Sequence, residues 1–221
     1  MLPIWFLYIA AGIRIAGGLA YLKATISGKA KPNPVSWLLW GAMPITAFFV
    51  GLSAGVGIEA IVTLALGVSP ILVFAAVMIK NPRSLRLQGL NLVCVVIALI
   101  GIVFWLTTKT PEMALACLLL ADLASALPTV RKSVKNPESE FAPTYLISAI
   151  GMTIALMTMT DLSFMAVAYP TYTLVINLLM FSLISQGKLK ATTSRRRHRH
   201  HRHRQKSRHR LIRSSKNKSR R

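Results

Sequence analysis

Seven stretches of the chain are apolar over roughly the length a helix needs to cross a bilayer, and short polar or basic segments separate them. They run from about Pro3 to Leu22, Val35 to Leu52, Val56 to Ile79, Gly89 to Thr107, Met113 to Val130, Pro143 to Met159 and Ser163 to Gln186. About 20 helical residues cover a hydrocarbon core, so the second and sixth runs are short for spans. The pattern predicts an all-α membrane protein of seven transmembrane helices over residues 1–186. Arg14 interrupts the first run and no basic segment precedes it, which reads as a retained span rather than a cleaved signal peptide.

The segments between the runs are unequally charged. Lys23, Lys29 and Lys31 follow the first run, Lys80, Arg83 and Arg86 the third, Arg131, Lys132 and Lys135 the fifth, and Lys188, Lys190 and a basic tail the seventh. Only Lys109 lies on the other side. Positive loops stay in the cytoplasm, so the N-terminus is expected outside and the C-terminus inside a plasma membrane, in all expectation a bacterial one.

Short matches suggest that part of the chain is repeated. Asn33-Pro34-x-Ser36 and Asn136-Pro137-x-Ser139 lie 103 residues apart, an offset that also places Lys29 on Lys132, and Asn81-Pro82-x-Ser84 is a third copy between them. Ser69-Pro70 and Tyr169-Pro170 are 100 residues apart. Four crossings separate the first run from the fifth, so two three-helix units, residues 3–79 and 113–186, would enter the membrane in the same direction. The run at 89–107 then serves as an inverting linker, giving a 3+1+3 arrangement.

Composition agrees with a membrane protein: 53% of the 221 residues are hydrophobic and 15% charged. The net charge of +21 comes mostly from the tail, because 16 of the 27 basic residues and none of the 6 acids fall in residues 187–221. That tail has no apolar periodicity and is expected to be disordered. Beside a bilayer it favours anionic lipid headgroups. Nucleic acid ranks second as a partner, because no aromatic residue is interleaved for base stacking, and a non-adaptive extension is a third reading. The tail histidines His198, His200, His201 and His203 stand among arginines that oppose a metal cation. Cys94 and Cys117 lie inside apolar runs without metal-ligand spacing.

Three spans, a linker span and three more, with prolines at corresponding places, resemble the SWEET and PQ-loop superfamily of small seven-helix transporters, or a bacterial branch of that shape. The resemblance covers residues 1 to about 186. Where that superfamily often carries Pro-Gln near the ends of its first and fifth spans, this chain has Ala24-Thr25 and Pro128-Thr129. Pro44 and Pro143 resemble two further hinge prolines. The resemblance implies passage of a small polar solute by alternating access, with Pro44, Pro70, Pro128, Pro143 and Pro170 as hinge or gate positions. It also implies a pocket role for Asn177, whose counterpart at the 103-residue offset is Phe74.

Asp122 and Arg14 are the first candidates for a substrate or proton pathway, because an ionisable group deep in a membrane faces a partner, a cavity or the bundle interior. The 103-residue offset sets Asp122 against Leu19, about 7.5 Å of helix rise from Arg14, so a structural ion pair between the two is the competing reading. Asn177 equally suits interhelical hydrogen bonding. Trp37 and Trp40, at the start of the second span, are expected as interface anchors, with a gate as the alternative. Glu59 and Asp161 fall near the outer interface, and Glu138 and Glu140 offset neighbouring lysines. Gly12, Ala16, Gly51 and Gly55 would let helices approach closely. No enzyme motif is present, and no cofactor is expected. The competing function class is a membrane anchor or adaptor that works through its tail.

Overall fold

The computed structural model describes residues 2–87, 89–108 and 110–218, apart from the side chains of 101, 105 and 194–218. Its helices are α1 (Phe6–Ile26), α2 (Pro34–Ser53), α3 (Ala60–Lys80), α4 (Leu90–Thr108), α5 (Pro111–Lys135), α6 (Ala142–Thr158) and α7 (Phe164–Lys218). Among the described residues six are long and apolar enough to cross a membrane, and α6, at 17 residues, is a shorter apolar helix. The chain is therefore a multi-helix membrane protein. Where a disordered tail is expected, the backbone instead continues α7 to Lys218. Extending a formed helix needs no new nucleus, and arginine, lysine and glutamine propagate it well.

Helix starts follow the chain's prolines. Pro34 and Pro111 open α2 and α5, where the missing N–H has no intrahelical partner to lose. Asn33 caps α2 by accepting the Val35 N–H at 3.0 Å. Pro143 likewise stands in the first turn of α6 and is exposed, so it begins that helix rather than hinging it.

The Asn-Pro segments matched by sequence are not matched in conformation. Asn33-Pro34 starts a helix. Asn136-Pro137 ends one, and so does Asn81-Pro82, each asparagine being followed by a one-turn 3-10 helix, at Pro137–Ser139 and Pro82–Ser84. In both of these the serine hydroxyl donates to its asparagine carbonyl at 2.7 Å. The motif is thus a helix stop used after α3 and α5, and the 103-residue offset joins unlike structures.

A different register recurs in the packing. Ser36 of α2 donates to the Ser125 carbonyl of α5 at 2.7 Å, and Thr144 of α6 donates to the Gly17 carbonyl of α1. Donor and acceptor of the second bond each lie 108 residues from their counterparts in the first. Thr25 to the Tyr21 carbonyl and Ser133 to the Thr129 carbonyl obey the same spacing. Met43, Pro44, Ala47, Val50 and Gly51 are buried in α2, and so are the residues 108 positions later, Gly151, Met152, Ala155 and Thr158 of α6 and Met159 just past its end.

Helix α3 packs on both α1 and α2, and α7 packs on both α5 and α6. The two groups meet through α1 against α6 and α2 against α5, while α4 lies outside against α5 and α2. Glycines set the closest approaches, but not the expected ones. A Cβ on Gly12 would meet nothing within 4 Å, Gly55 has a turn's φ of +84°, and Gly51 has only ordinary contacts. A Cβ on Gly67 of α3 would instead fall 2.7 Å from the backbone oxygen of Gly41 in α2. Gly67→Ala is expected to lower stability by about 2 kcal/mol, since a backbone atom cannot step aside. Gly12→Ala should be neutral, and equal melting curves for the two variants in detergent would refute this view of the α2–α3 seam.

Basic connections gather at one end of the bundle. The Lys31 N–H donates to the Ser139 carbonyl at 2.9 Å, Lys80 reaches the Ile26 carbonyl, and the Asn33 amide meets Asn91 at 3.0 Å. At the opposite end, the Leu2 N–H donates to the Met157 carbonyl at 2.9 Å.

Candidate functional site

Between the two helix groups lies a cavity with about 540 Å³ of empty space including its mouth, lined from α1, α2, α3, α5, α6 and α7. Asp122, Arg14 and Asn177, chosen separately from the sequence, all line it. So do Trp37, Trp40, Pro44, Pro70, Thr144, Tyr145, Ser148, Tyr169, Tyr172 and Thr173.

Asp122 is 4% exposed, at a depth where an unpaired carboxylate costs several kcal/mol unless hydrogen-bonded. Tyr172 donates to its Oδ2 at 2.7 Å and Tyr169 to its Oδ1 at 3.3 Å. Both donors come from α7, where residues 169, 172, 173, 176, 177 and 180 form one helical stripe facing the cavity. Tyr169 and Tyr172 escaped the sequence reading. The signal that finds them is their spacing of three on the helix that carries Asn177.

Arg14 uses a proline's consequence. Pro70 has no N–H to offer the carbonyl four residues earlier, and that carbonyl, on Leu66, accepts a long bond of 3.5 Å from Arg14 Nη2. Ser69 Oγ accepts from Nη1 at 3.3 Å, and Nε has no partner among the described residues. The competing ion pair is not formed: among the described residues no charged oxygen lies within 4.0 Å of the guanidinium. Each group is fixed by neutral partners, which leaves the two opposite charges apart on the walls of one cavity.

Pro128 acts in the same way away from the cavity, since the Ala124 carbonyl four residues before it accepts from Cys94 Sγ at 3.0 Å and so ties α4 to α5. Pro170 is buried in α7 beside Tyr169. Of the five proline positions, Pro44 and Pro70 line the cavity. Asn177 donates through Nδ2 to the Thr173 carbonyl of its own helix at 2.7 Å, which leaves its amide oxygen and its second N–H.

Trp37 is not an interface anchor. It is 3% exposed and packs on Tyr21 at a tilt of 31°, with ring centroids 4.2 Å apart, and it meets Trp40 edge-on at 5.6 Å. Together these rings close the wall of the cavity on the side of the basic end. Beyond them sits a residue whose role the sequence concealed. Glu140, fully buried, accepts from Tyr21 of α1 at 2.6 Å and Tyr145 of α6 at 3.2 Å and pairs with Lys132 of α5. Lys188 of α7 donates to its carbonyl at 2.7 Å. One carboxylate thus gathers α1, α5 and α6 at that end. At the other end Glu59, 6% exposed, accepts from the Thr160 N–H at 2.8 Å, from the Thr160 hydroxyl at 3.1 Å and from the Asp161 N–H at 3.3 Å. It fastens the start of α3 to the α6–α7 turn. Asp161 itself is exposed and accepts the Ser163 N–H.

The arrangement is a polar chamber inside an apolar bundle, with aromatic walls and a buried carboxylate clasp toward each end. No protein-family model, no curated protein and no solved structure matches this chain.

Proposed function

We propose that the protein is a transporter of a small polar solute, SWEET-like in plan, built from two parallel three-helix units joined by α4. The observation that carries this reading is the chamber between the units, where the deep charges Arg14 and Asp122 meet open space rather than one another. Ionisable groups at such depth mark solute or ion pathways. The packing supports the repeat: α3 against α1 and α2 parallels α7 against α5 and α6, and the contact of α1 with α6 parallels that of α2 with α5. Its register is 108 residues through the first two helices of each unit and 100 through the third, where buried Leu66, Ser69, Pro70, Val73 and Val77 stand opposite buried Ala166, Tyr169, Pro170, Thr173 and Asn177. Asp122 is then the counterpart of Arg14 rather than of Leu19, and Asn177 of Val77 rather than of Phe74. The repeat relates a cation to an anion across its axis.

Alternating access in such a design rocks one unit against the other about a central site. Clasps at Glu140 and Glu59 are placed to open in turn. The bias of basic residues supports a cytoplasmic Glu140 end.

Reconstituted vesicles test the reading. Asp122→Asn is expected to abolish uptake while the variant still melts cooperatively, whereas truncation after Thr193, which keeps Lys188 at the Glu140 clasp, leaves flux unchanged. Full uptake by the asparagine variant would remove Asp122 from the pathway. Loss of flux on truncation would favour the adaptor reading, in which the basic tail carries the function.

A further inference from the structure

Resting on that transport reading, we propose that the chamber takes a small zwitterion, whose carboxylate docks on Arg14 and whose ammonium docks on Asp122. The geometry behind the assignment is the separation of the two charges. Both line the same cavity, they come from α1 and α5, and neither is within 4.0 Å of the other or of any other opposite charge among the described residues.

Each charge is only half compensated. Neutral hydroxyls hold Asp122, while Arg14 has one hydroxyl and one long carbonyl contact, with Nε unused. A guanidinium offers a planar fork matched to a carboxylate. The Asp122 carboxylate already has tyrosine donors and retains acceptor capacity for an ammonium.

Ligand classes separate on this basis. A sugar brings hydroxyls and leaves both wall charges uncompensated. A simple anion satisfies Arg14 but sets a second negative charge near Asp122, and a simple amine does the reverse. A molecule carrying both groups on a short spacer neutralises both walls in one event and crosses the bilayer without net charge. Thr144, Ser148 and Trp40 also line the chamber, where they would meet the rest of the molecule.

The test uses the full chain in detergent and in vesicles. Calorimetric titration covers the α-amino acids, β-alanine and glycine betaine as zwitterions, with acetate, methylammonium and glucose as single-charge and neutral probes. At least one zwitterion is expected to bind ten or more times tighter than every single-charge probe. Arg14→Gln should erase that preference over methylammonium, and Asp122→Asn should erase the preference over acetate. Should either variant fail to fold, the wild-type ranking alone decides. Glucose or a single-charge probe binding as tightly as the best zwitterion overturns the proposal, as does a panel in which no zwitterion binds. Uptake in vesicles keeps the two readings apart. Zwitterion binding without uptake would sink the transport reading and leave the site, whereas uptake of glucose but of no zwitterion would sink the site and leave transport.

Discussion

Glu140→Ala is expected to destabilise the protein by about 3 kcal/mol, the lower end of the cost of breaking a buried ion pair, because Lys132 keeps some contact with solvent while Glu140 keeps none. The argument is one of stranded partners. Without the carboxylate the buried Tyr21 and Tyr145 hydroxyls lose their acceptor, and unmet buried donors cost about 1–3 kcal/mol each when nothing replaces the bond. Lys132 loses its ion-pair partner and retains its contact with the Lys31 carbonyl. Glu140→Gln keeps an oxygen for Tyr21 and removes the charge, so its loss should be about half as large. Because the clasp joins α1 of one unit to α5 and α6 of the other, weakening it should also loosen that end of the chamber. With Cys94 and Cys117 replaced by alanine, a Ser148→Cys reporter in the wall should label faster with a maleimide once Glu140 is gone. Unchanged melting together with unchanged labelling would mean that the cluster joins nothing of consequence.

The second large effect is expected at Gly18. A Cβ placed there would come within 2.1 Å of Ser69 Cβ, whereas nonbonded carbons rest about 3.5–4.0 Å apart. Gly18→Ala must therefore push α1 from α3 or displace Ser69, which also carries the better of the two contacts to Arg14. A loss of about 3 kcal/mol is expected, at the upper end of overpacking costs, along with weaker solute binding. Ser69→Gly in the same chain opens the room that the new methyl needs. The double variant should then recover most of the lost stability while still binding poorly, because Arg14 has lost a hydroxyl. Non-additivity of that kind is the signature of direct contact. Equal damage from Gly18→Ala with and without Ser69 would place the strain elsewhere.

Much of the molecule was legible beforehand. Long apolar runs separated by lysines give the helices nearly to their ends, because a buried backbone in lipid has few other ways to satisfy its hydrogen bonds. Asp122, Arg14 and Asn177 stood out for a related reason: polar groups within such runs are costly and need an explanation. Trp37 misled, because tryptophan at the edge of an apolar run fits both a lipid interface and an inward-facing wall. The direction a helix turns decides which, and with lipid outside the helix both faces are apolar.

The Asn-Pro matches are a poor landmark for the proposed repeat. Asn-Pro is a local signal found at helix starts and helix stops alike, so its spacing does not report which helices correspond. The 108-residue spacing behind the proposal is carried by hydrogen bonds and burial, Ser36 to Ser125 and Thr144 to Gly17, which exist only once helices are packed. Glu140 went unread for the same reason. Beside Glu138 on a basic loop it looks like a solvated counter-charge, and only the approach of Tyr21 from α1, 119 residues away, makes it a buried clasp.

The sequence alone determined that this chain is a bundle of apolar helices with basic connections, because hydrophobic length and turn chemistry are local properties of the chain. Tertiary structure decided that Arg14 and Asp122 do not pair, that tyrosines of α7 hold the carboxylate, and that a chamber lies between them. Those outcomes depend on which faces of separate helices meet and at what height, and no local pattern encodes that.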